Sequence, residues 1–360
     1  MSEPGVVESA VLEALKVVQD PDLHRDIVSL GFVKQVTIDG ETVSIVIELT
    51  TPACPVKDQM RDQAEAALRQ LPGVQTVHVE MTANVRSASL PDKGRAAVPG
   101  VKNVIAVGAG KGGVGKTTVS VNLACALAGH GSRVGLLDGD IYGPNVPIML
   151  GVRKQLETDG KKIVPAERYG IRVVSMGFLT QDDAPVVWRG PMLHGVIQQF
   201  FREVRWDDLD YLVIDMPPGT GDVALSLSQT VPVAGSVVVT TPQTVSLADT
   251  RRAVRMYQKL NIPVLGLLEN MSHFICPSCQ HESDIFGKGG GESLAAEMSV
   301  PYLGQIPLYE PIRIGGDEGT PIVIGEPESP AGRALIDAAE RLAAQVSITS
   351  YALPVDAPVT

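Results

Sequence analysis

A glycine-rich segment with two lysines, GKGGVGKT at residues 110–117, is the part of the chain whose composition predicts chemistry most directly. It fits the phosphate-binding pattern G-x-x-x-x-G-K-[ST], and it lies between an apolar run and a helix-length segment, as that pattern requires. Its glycines let the backbone turn tightly and point N–H groups at phosphate oxygens. The pattern predicts that Lys116 binds the β- and γ-phosphates and that the Thr117 hydroxyl binds Mg²⁺. The predicted nucleotide-binding residues of this loop are Gly110, Lys111, Gly112, Gly113, Val114, Gly115, Lys116, Thr117 and Thr118.

Acidic residues end two apolar runs further along the chain. LLDGD ends with Asp138 and Asp140, and YLVID ends with Asp215. A carboxylate in such a place holds the Mg²⁺ shell or orients a water molecule, and Asp215 stands where a Walker B aspartate is expected. Capping a helix is the alternative role for Asp140 and for Asp215. Gly219 and Gly221 follow Asp215, and they predict a loop that can move, as a phosphate-sensing switch must.

The segment that begins at Asn270 bears on the choice of base. A guanine-binding loop reads N-K-x-D, and its carboxylate accepts hydrogen bonds from the base. The corresponding residues here are Asn270, Met271, Ser272 and His273, which supply neither the lysine nor the carboxylate. We therefore expect adenine, and hence ATP, with Asn270 contacting the base.

Two of the four cysteines form the pair CPSC at residues 276–279. A redox pair belongs at a helix N-terminus in a thioredoxin-like unit, which nothing in the sequence supplies. A zinc site needs four N or S ligands, and only His273 or His281 stands near enough in sequence to help complete one. Two such pairs meeting on the two-fold axis of a dimer would supply four thiolates, the ligand set of a [4Fe–4S] cluster. Two buried cysteines without metal are disfavoured by the polar flanking residues.

Composition limits the classes of function. The chain has 360 residues, 44% hydrophobic and 20% charged, which suits one large folded domain and one smaller one. The net charge of −11 argues against the nucleic-acid backbone as a main partner. The sequence shows no signal peptide and no run of about 20 apolar residues. Four cysteines are too few for a disulfide framework in a chain of this length. We expect a cytoplasmic protein without nucleic-acid or membrane partners.

The arrangement of elements predicts two domains. Residues 1–85 show a helix, a hairpin about Asp39–Gly40, a second helix and a strand, which together predict a small α+β domain. The polar segment 86–100 is predicted to be a linker. Over 101–345, seven short apolar runs alternate with mostly helix-length segments, so the fold class is α/β, with a mostly parallel sheet covered by helices. Residues 346–360 are predicted to be a C-terminal tail.

The string K-G-G-V-G-K-T-T resembles the deviant Walker A motif of the MinD/ParA/ArsA-type ATPases. In that family the first lysine reaches the phosphates of the partner subunit, so the resemblance implies that Lys111 acts across a homodimer. A solvated loop lysine is the alternative. The family also implies that Asp140 lies in switch I and positions the attacking water. The expected catalytic residues are therefore Lys111, Lys116 and Asp140.

Further motifs resemble the Mrp/ApbC/Nbp35 family of iron–sulfur cluster carrier ATPases. They are GPNVP, VIDMPPGTGD and NMSHFICPSCQHESDIFGKGGGE, and the match runs over roughly residues 100–345. The resemblance implies a P-loop NTPase with slow ATPase activity, with ATP, Mg²⁺ and a [4Fe–4S] cluster as cofactors and with Cys276 and Cys279 as iron ligands. It also implies a homodimer that receives a cluster from scaffold proteins.

The N-terminal domain resembles the MIP18-like (DUF59) domain through DPDLHRDIVSLGFV and TTPACPVKD. Cys54 aligns with the cysteine of that domain, and a thiol near a helix N-terminus is the alternative role. Cys125 falls within an apolar helix and is expected in the core.

The expected function is to bind an iron–sulfur cluster at a homodimer interface and to transfer it to apoproteins, with ATP binding and hydrolysis. The alternative is a MinD/ParA-type spatial-organisation ATPase with a structural zinc at the C-x-x-C pair. That alternative needs a basic face or a lipid-binding helix, and neither is apparent in the sequence.

Overall fold

The computed structural model describes residues 6–88, 96–140, 143–153, 156–160, 162–178, 190–217, 219, 230–276, 278–279 and 281–352, with the backbone alone for 190–194. The chain divides into two compact units, Met1–Arg86 and Ser87–Thr360. Among the helices described, none combines the length and the apolar character needed to cross a bilayer.

The first unit is a small sheet with two helices. Its elements are α1 (Glu8–Leu15), β1 (Gln19–Asp20), β2 (Arg25–Asp26), β3 (Val33–Asp39), β4 (Thr42–Leu49), α2 (Lys57–Leu68) and β5 (Thr76–Ala83). The main sheet has the order β3-β4-β5, in which β3 and β4 are antiparallel and β4 and β5 are parallel. Asp39 pairs with Thr42 across the β3–β4 turn, where Gly40 has a φ of 59°, so the hairpin predicted about Asp39–Gly40 is present.

The second unit contains the larger sheet. Its strands are β6 (Val101–Ala109), β7 (Val134–Asp138), β8 (Glu157–Asp159), β9 (Lys162–Val164), β10 (Ala166–Arg168), β11 (Ile171–Ser175), β12 (Leu209–Asp215), β13 (Gly235–Thr240), β14 (Val264–Glu269), β15 (Phe274–Ile275), β16 (Glu282–Ser283) and β17 (Tyr302–Gln305). Its α-helices, as described, are α3 (Lys116–Gly129), α4 (Val146–Met149), α5 (Gly190–Glu203), α6 (Thr244–Lys259), α7 (Gly290–Met298), α8 (Glu310–Glu318), α9 (Ile322–Gly325) and α10 (Pro330–Ala352). A 3₁₀ turn spans Met176–Phe178.

Eight strands form one sheet in the order β10-β11-β7-β12-β6-β13-β14-β17. All neighbours are parallel except the edge pair β10 and β11. Every residue of β7, β12 and β13 is buried, as expected for strands covered by helices on both faces. The α/β fold class predicted from the sequence is therefore confirmed. The parallel arrangement brings the carboxyl ends of β6, β7, β12, β13 and β14 to one edge, where ligands of such sheets bind.

Two features differ from the sequence-based expectation. Strand β10 is an eighth, antiparallel strand outside the seven predicted runs. It is short and follows Pro165, so it gives little apolar signal and suits only a sheet edge. The last helix continues to Ala352, so residues 346–352 belong to α10 rather than to a tail, because Val346 and Ser347 are buried in the packing of that helix. Residues 353–360 lie outside the described part of the chain.

Gly110 and Gly129 differ in the space around them, and this generates a prediction. A Cβ at Gly110 would lie 2.4 Å from the carbonyl oxygen of Asp249 in α6, whereas a Cβ at Gly129 in α3 meets nothing within 4 Å. We expect Gly110→Ala to lower the free energy of unfolding by about 1–3 kcal/mol, as overpacking does. Gly129→Ala should leave it unchanged or raise it by up to about 1 kcal/mol, because alanine favours helix. Urea denaturation followed by circular dichroism measures both, and equal effects would contradict the packing at Gly110.

Candidate functional site

The phosphate loop joins β6 to α3, and its shape depends on close approaches that only glycine permits. Gly113 and Gly115 have φ of 80° and 81°, in the left-handed region. A Cβ at Gly115 would lie 2.2 Å from the Nδ2 atom of Asn270. Helix α3 begins at Lys116, directly after the loop, so its unpaired N–H groups and its dipole face the same place. This geometry suits an anion such as a phosphate group.

A buried ion pair lies at the base of the loop. The Lys116 Nζ atom is 2.7 Å from Oδ1 of Asp215, at the end of β12, and the Asp215 side chain is fully buried. The Thr117 hydroxyl donates to Oδ2 of Asp215 at 2.7 Å, and the Ser120 hydroxyl lies 2.7 Å from Oδ1. Three groups of one helix therefore satisfy a carboxylate that burial would otherwise make costly. Ser120 was missed by the sequence analysis, although its position one turn after Lys116 was a usable signal.

Asp138 and Asp140 lie beside this pair, at the end of β7. The Asp138 carboxylate accepts hydrogen bonds from the Ser175 hydroxyl at 2.9 Å and from the N–H of Asp140 at 3.1 Å. Burial first, and then the charge of Asp215, raise the pKa of Asp138 to about 7. The Asp140 carboxylate accepts from the N–H of Gly143 at 3.4 Å. Asp138 thus ends the strand next to β12, and Asp140 lies two residues beyond it. Gly221 of the predicted switch lies outside the described residues.

Lys111 differs from Lys116 in its surroundings. Its side chain is half-buried, and it makes no hydrogen bond or ion pair with any residue of the described part of the chain.

A cavity of about 480 Å³ opens beside the phosphate loop, and its size is within the usual range for small-molecule sites. Its lining includes Thr117, Thr118, Asn270, Pro307 and Ile312. The Asn270 Nδ2 atom donates to the Val114 carbonyl at 2.8 Å, which fixes the side chain against the loop. The structure thus brings Asn270 together with the predicted phosphate-binding residues.

The cysteine pair lies on a small hairpin that follows β14. Strands β15 and β16 pair in antiparallel fashion, and the Cys276 N–H donates to the His281 carbonyl at 3.0 Å. Cys276 is half-exposed and Cys279 is exposed. The pKa of the Cys276 thiol is lowered, mainly by the N–H groups of Cys279 and Ser278 and also by the Cys279 side chain. Donors of this kind stabilise a thiolate, the form that binds metals.

In the described part of the chain, the histidines near the cysteine pair do not form a metal-binding group with it. His273 is buried, and its Nδ1 atom lies 2.7 Å from the Ser272 hydroxyl, while His281 is exposed. Among the described residues, no group of three or more His, Cys, Asp or Glu side chains is arranged to hold a metal ion. Within the described residues, the hairpin therefore presents two thiols without a third potential ligand beside them.

The other two cysteines are separate from the hairpin. Cys125 is buried within α3, and burial raises the pKa of its thiol to about 12. Cys54 belongs to the first unit and is half-buried, two residues before the N-cap of α2.

Comparison with known proteins identifies the family. Residues 100–343 match the model of the NUBPL iron-transfer P-loop NTPases, and residues 8–80 match the model of an iron–sulfur cluster assembly protein. The chain belongs to the iron-transfer P-loop NTPase family. It is 51% identical over 348 residues to the iron–sulfur cluster carrier protein of Synechocystis, covering 95% of this chain and 98% of that protein. It is 40% identical over 353 residues to the protein of that name from Escherichia coli, covering 98% and 95%. The family resemblance inferred from the sequence is confirmed.

Solved structures support the nucleotide-binding fold of this NTPase. A nucleotide-binding protein from Archaeoglobus fulgidus in complex with ADP is 35% identical and covers 64% of this chain and 91% of its own, with a TM-score of 0.56. The cell division ATPase MinD of Pyrococcus furiosus is 28% identical and covers 66% and 97%, with a TM-score of 0.51. Each of these two structures matches about two thirds of this chain.

The surroundings of the cysteines predict unequal reactivity. In the full-length, metal-free protein, Cys276 should be alkylated by iodoacetamide fastest, and its rate should stay high as the pH falls, because a lowered pKa keeps the thiolate present at lower pH. Cys125 should react only after unfolding, because burial raises its pKa to about 12. Peptide mass spectrometry at several pH values gives each rate. Equal rates for Cys125 and Cys276 in the folded protein would exclude this description of the hairpin.

Proposed function

We propose that the protein binds an iron–sulfur cluster between two copies of the chain and transfers it to apoproteins, using ATP binding and hydrolysis. The observation that carries the proposal is the half-complete ligand set of the hairpin. Cys276 and Cys279 face solvent on one small hairpin, and no third metal-ligating group stands with them among the described residues.

Ligand number then favours a second copy as the source of the missing thiolates. A [4Fe–4S] cluster requires four cysteine ligands, and a two-fold axis beside the hairpin doubles two to four. A cluster held this way is released when the two copies separate or rotate, because neither copy alone supplies a full ligand set. Recipient apoproteins and the scaffold that supplies the cluster are the partners this function needs. We place the function in the cytoplasm, where thiols stay reduced.

The nucleotide site supplies the energy for that change. Bound ATP offers β- and γ-phosphates that compete with Asp215 for Lys116. Thr117 and Asp215, already in contact, are the oxygen donors that suit Mg²⁺, and this ion neutralises phosphate charge when bound. We assign Asp140 to the positioning of the attacking water and Lys111 to the phosphates of the partner copy.

Adenine is the proposed base. In the cavity, the Asn270 amide directs its Nδ2 atom to the Val114 carbonyl, which leaves its Oδ1 atom to accept from the amino group of adenine. A guanine carbonyl in that place would meet an oxygen instead. The remaining loop residues, 110–115 and Thr118, are assigned to the phosphates. We also assign residues 1–85 to an accessory cluster-assembly domain, joined by the 86–100 segment to the ATPase domain that begins at 101.

Removal of one thiol from the hairpin tests the cluster site. Cys276→Ser should abolish the cluster rather than halve it, because each dimer loses two of four ligands and a serine hydroxyl is a poor ligand for iron. Reconstituted wild-type protein should show a broad absorption shoulder near ~400 nm and about four irons per two chains, as expected for thiolate-ligated iron. The matched control, Cys54→Ser, should keep both signals. One zinc ion per chain in the wild type, with no iron, would support a structural zinc site and contradict the carrier proposal.

Mixing two inactive variants tests the role of Lys111. Lys111→Ala and Asp140→Ala should each lose ATPase activity while remaining folded. If Lys111 acts on the partner's phosphates, a mixed dimer contains one site with both groups intact, so mixing should restore roughly a quarter of wild-type activity on random pairing. Copurification of the two variants through an affinity tag carried by only one of them shows that mixed dimers form. Absence of recovery in mixed dimers would assign Lys111 to its own site.

A further inference from the structure

Residues 270–289 carry the cysteine pair, and both ends of this segment lie at one buried residue, Glu269. The segment starts directly after Glu269, and its last residue is hydrogen-bonded to the Glu269 side chain. Glu269 is the last residue of β14, and its side chain is fully buried. Its Oε1 atom accepts from the Gly289 N–H at 2.9 Å, and its Oε2 atom accepts from the Gly291 N–H at 2.5 Å. The end of the segment is therefore tied back to the residue that precedes its start.

The glycine run 289–291 has a structural explanation in this contact. A Cβ at Gly291 would lie 3.1 Å from the Glu269 Oε2 atom and 3.0 Å from its Cβ, and a Cβ at Gly290 would lie 2.9 Å from the Pro242 carbonyl oxygen. Gly289 has a φ of 80°. Helix α7 begins at Gly290, so its N-terminus, a natural site for an anion, is filled by the protein's own carboxylate.

The first end of the segment is fixed to the phosphate loop. The Asn270 side chain donates to the Val114 carbonyl at 2.8 Å, and its backbone N–H donates to the Thr240 carbonyl at 2.8 Å. Two adjacent residues therefore hold both ends: Asn270 contacts the nucleotide loop, and Glu269 holds the far end.

Further contacts stiffen the segment between these two ends. The Ser272 N–H donates to the Ile306 carbonyl at 3.0 Å, and the Lys288 ammonium pairs with Glu282 at 3.1 Å. Cys276 is six positions beyond Asn270 in the sequence. With the far end hydrogen-bonded to Glu269, a displacement of Asn270 or of the phosphate loop would have to be taken up between the two ends, where the hairpin lies.

We propose that Glu269 is a positioning residue that couples the nucleotide loop to the cysteine pair. This inference rests on the proposed function, in that the coupling serves cluster binding and release. Glu269 touches neither nucleotide nor cluster. It acts by holding the far end of the cysteine segment in place while the other end, at Asn270, follows the phosphate loop. A change at Asn270 then alters the position and exposure of Cys276 and Cys279.

The substitution Glu269→Gln tests the coupling while nearly preserving the shape of the buried side chain. Glutamine has nearly the same shape, but its NH₂ group faces one of the two glycine N–H donors, so one hydrogen bond is lost and two donors oppose each other. The matched control is Glu292→Gln, which removes a carboxylate from the first turn of the same helix, where the side chain is exposed.

The readout is the alkylation rate of Cys276 and Cys279 in full-length, reduced, metal-free protein, with and without a non-hydrolysable ATP analogue. In the wild type and in Glu292→Gln, the analogue should change the rate by about fivefold or more, the lower end of usual coupling between sites. In Glu269→Gln, the ratio should fall close to one while the affinity for the analogue, measured by calorimetry, stays within about twofold, since Glu269 lies outside the nucleotide cavity. If Glu269 had only a structural role, Glu269→Gln would change the alkylation rates with and without the analogue by the same factor, and their ratio would stay the same.

A wild-type ratio near one at saturating analogue, or an unchanged ratio in Glu269→Gln, overturns the proposal. If Glu269→Gln does not fold, Gly291→Ala is the second variant, because its Cβ presses on the same carboxylate from the other side, and the same loss of ratio is expected. The thiol readout needs no cluster. The wild-type protein could bind no iron while the analogue still changes its alkylation rate and Glu269→Gln abolishes that change. This outcome would refute the cluster proposal and support the coupling.

Discussion

The buried pair of Lys116 and Asp215 is the constraint around which the sheet edge is organised. A charge in this place is stable only when its partner is held within hydrogen-bonding distance, and removal of either one leaves the other unpaired. Asp215 ends β12, and Lys116 begins α3 after a loop from the neighbouring strand β6, so the pair requires that β6 and β12 be adjacent. The same adjacency places Thr117 and Ser120 on the carboxylate. The nucleotide chemistry and the central packing of the sheet therefore depend on one arrangement.

The cysteine hairpin is an extension of the same edge on the other side of β6. Strand β13 lies between β6 and β14, and the last residue of β14, Glu269, precedes the residue that contacts the phosphate loop. The parallel sheet thus brings the phosphate loop and the cysteine pair to the same edge. A separate domain for the cysteine pair is not required, because nine residues after Asn270 are enough to reach Cys279.

The likeness to MinD concerns the sheet and the phosphate loop, and a shared fold of this kind does not by itself specify what a protein does. Function is decided by the groups that the loops carry. In this chain those groups are a solvent-facing C-x-x-C pair with a lowered thiol pKa at Cys276, and a loop lysine without a partner among the described residues. Among the described residues of one protomer neither group has a full set of partners, and in the proposed function a second copy completes both. The two incomplete sites are the reason that the proposed function requires a dimer.

The sequence by itself indicated the phosphate loop, the seven parallel strands of the large sheet and the cysteine pair. Each of these is a local pattern: glycine and lysine spacing, runs of β-branched residues, and two thiols three positions apart. It also predicted the hairpin turn at Gly40. The sequence did not predict edge strand β10, because its three residues, two of them exposed, carry no apolar pattern. It did not predict the length of α10 either, because burial of Val346 depends on the elements packed around that helix.

Only the tertiary structure decided which distant residues meet. Lys116 and Asp215 are 99 positions apart, Asn270 and Val114 are 156 apart, and Glu269 and Gly291 are 22 apart. The raised pKa of Asp138 also arises only there, because burial and the charge of Asp215 act on it through space. Such contacts depend on strand order, and local periodicity does not specify strand order. The sequence therefore predicted the two sites, and the fold determined that Asn270 contacts the phosphate loop and that Glu269 binds the far end of the cysteine segment.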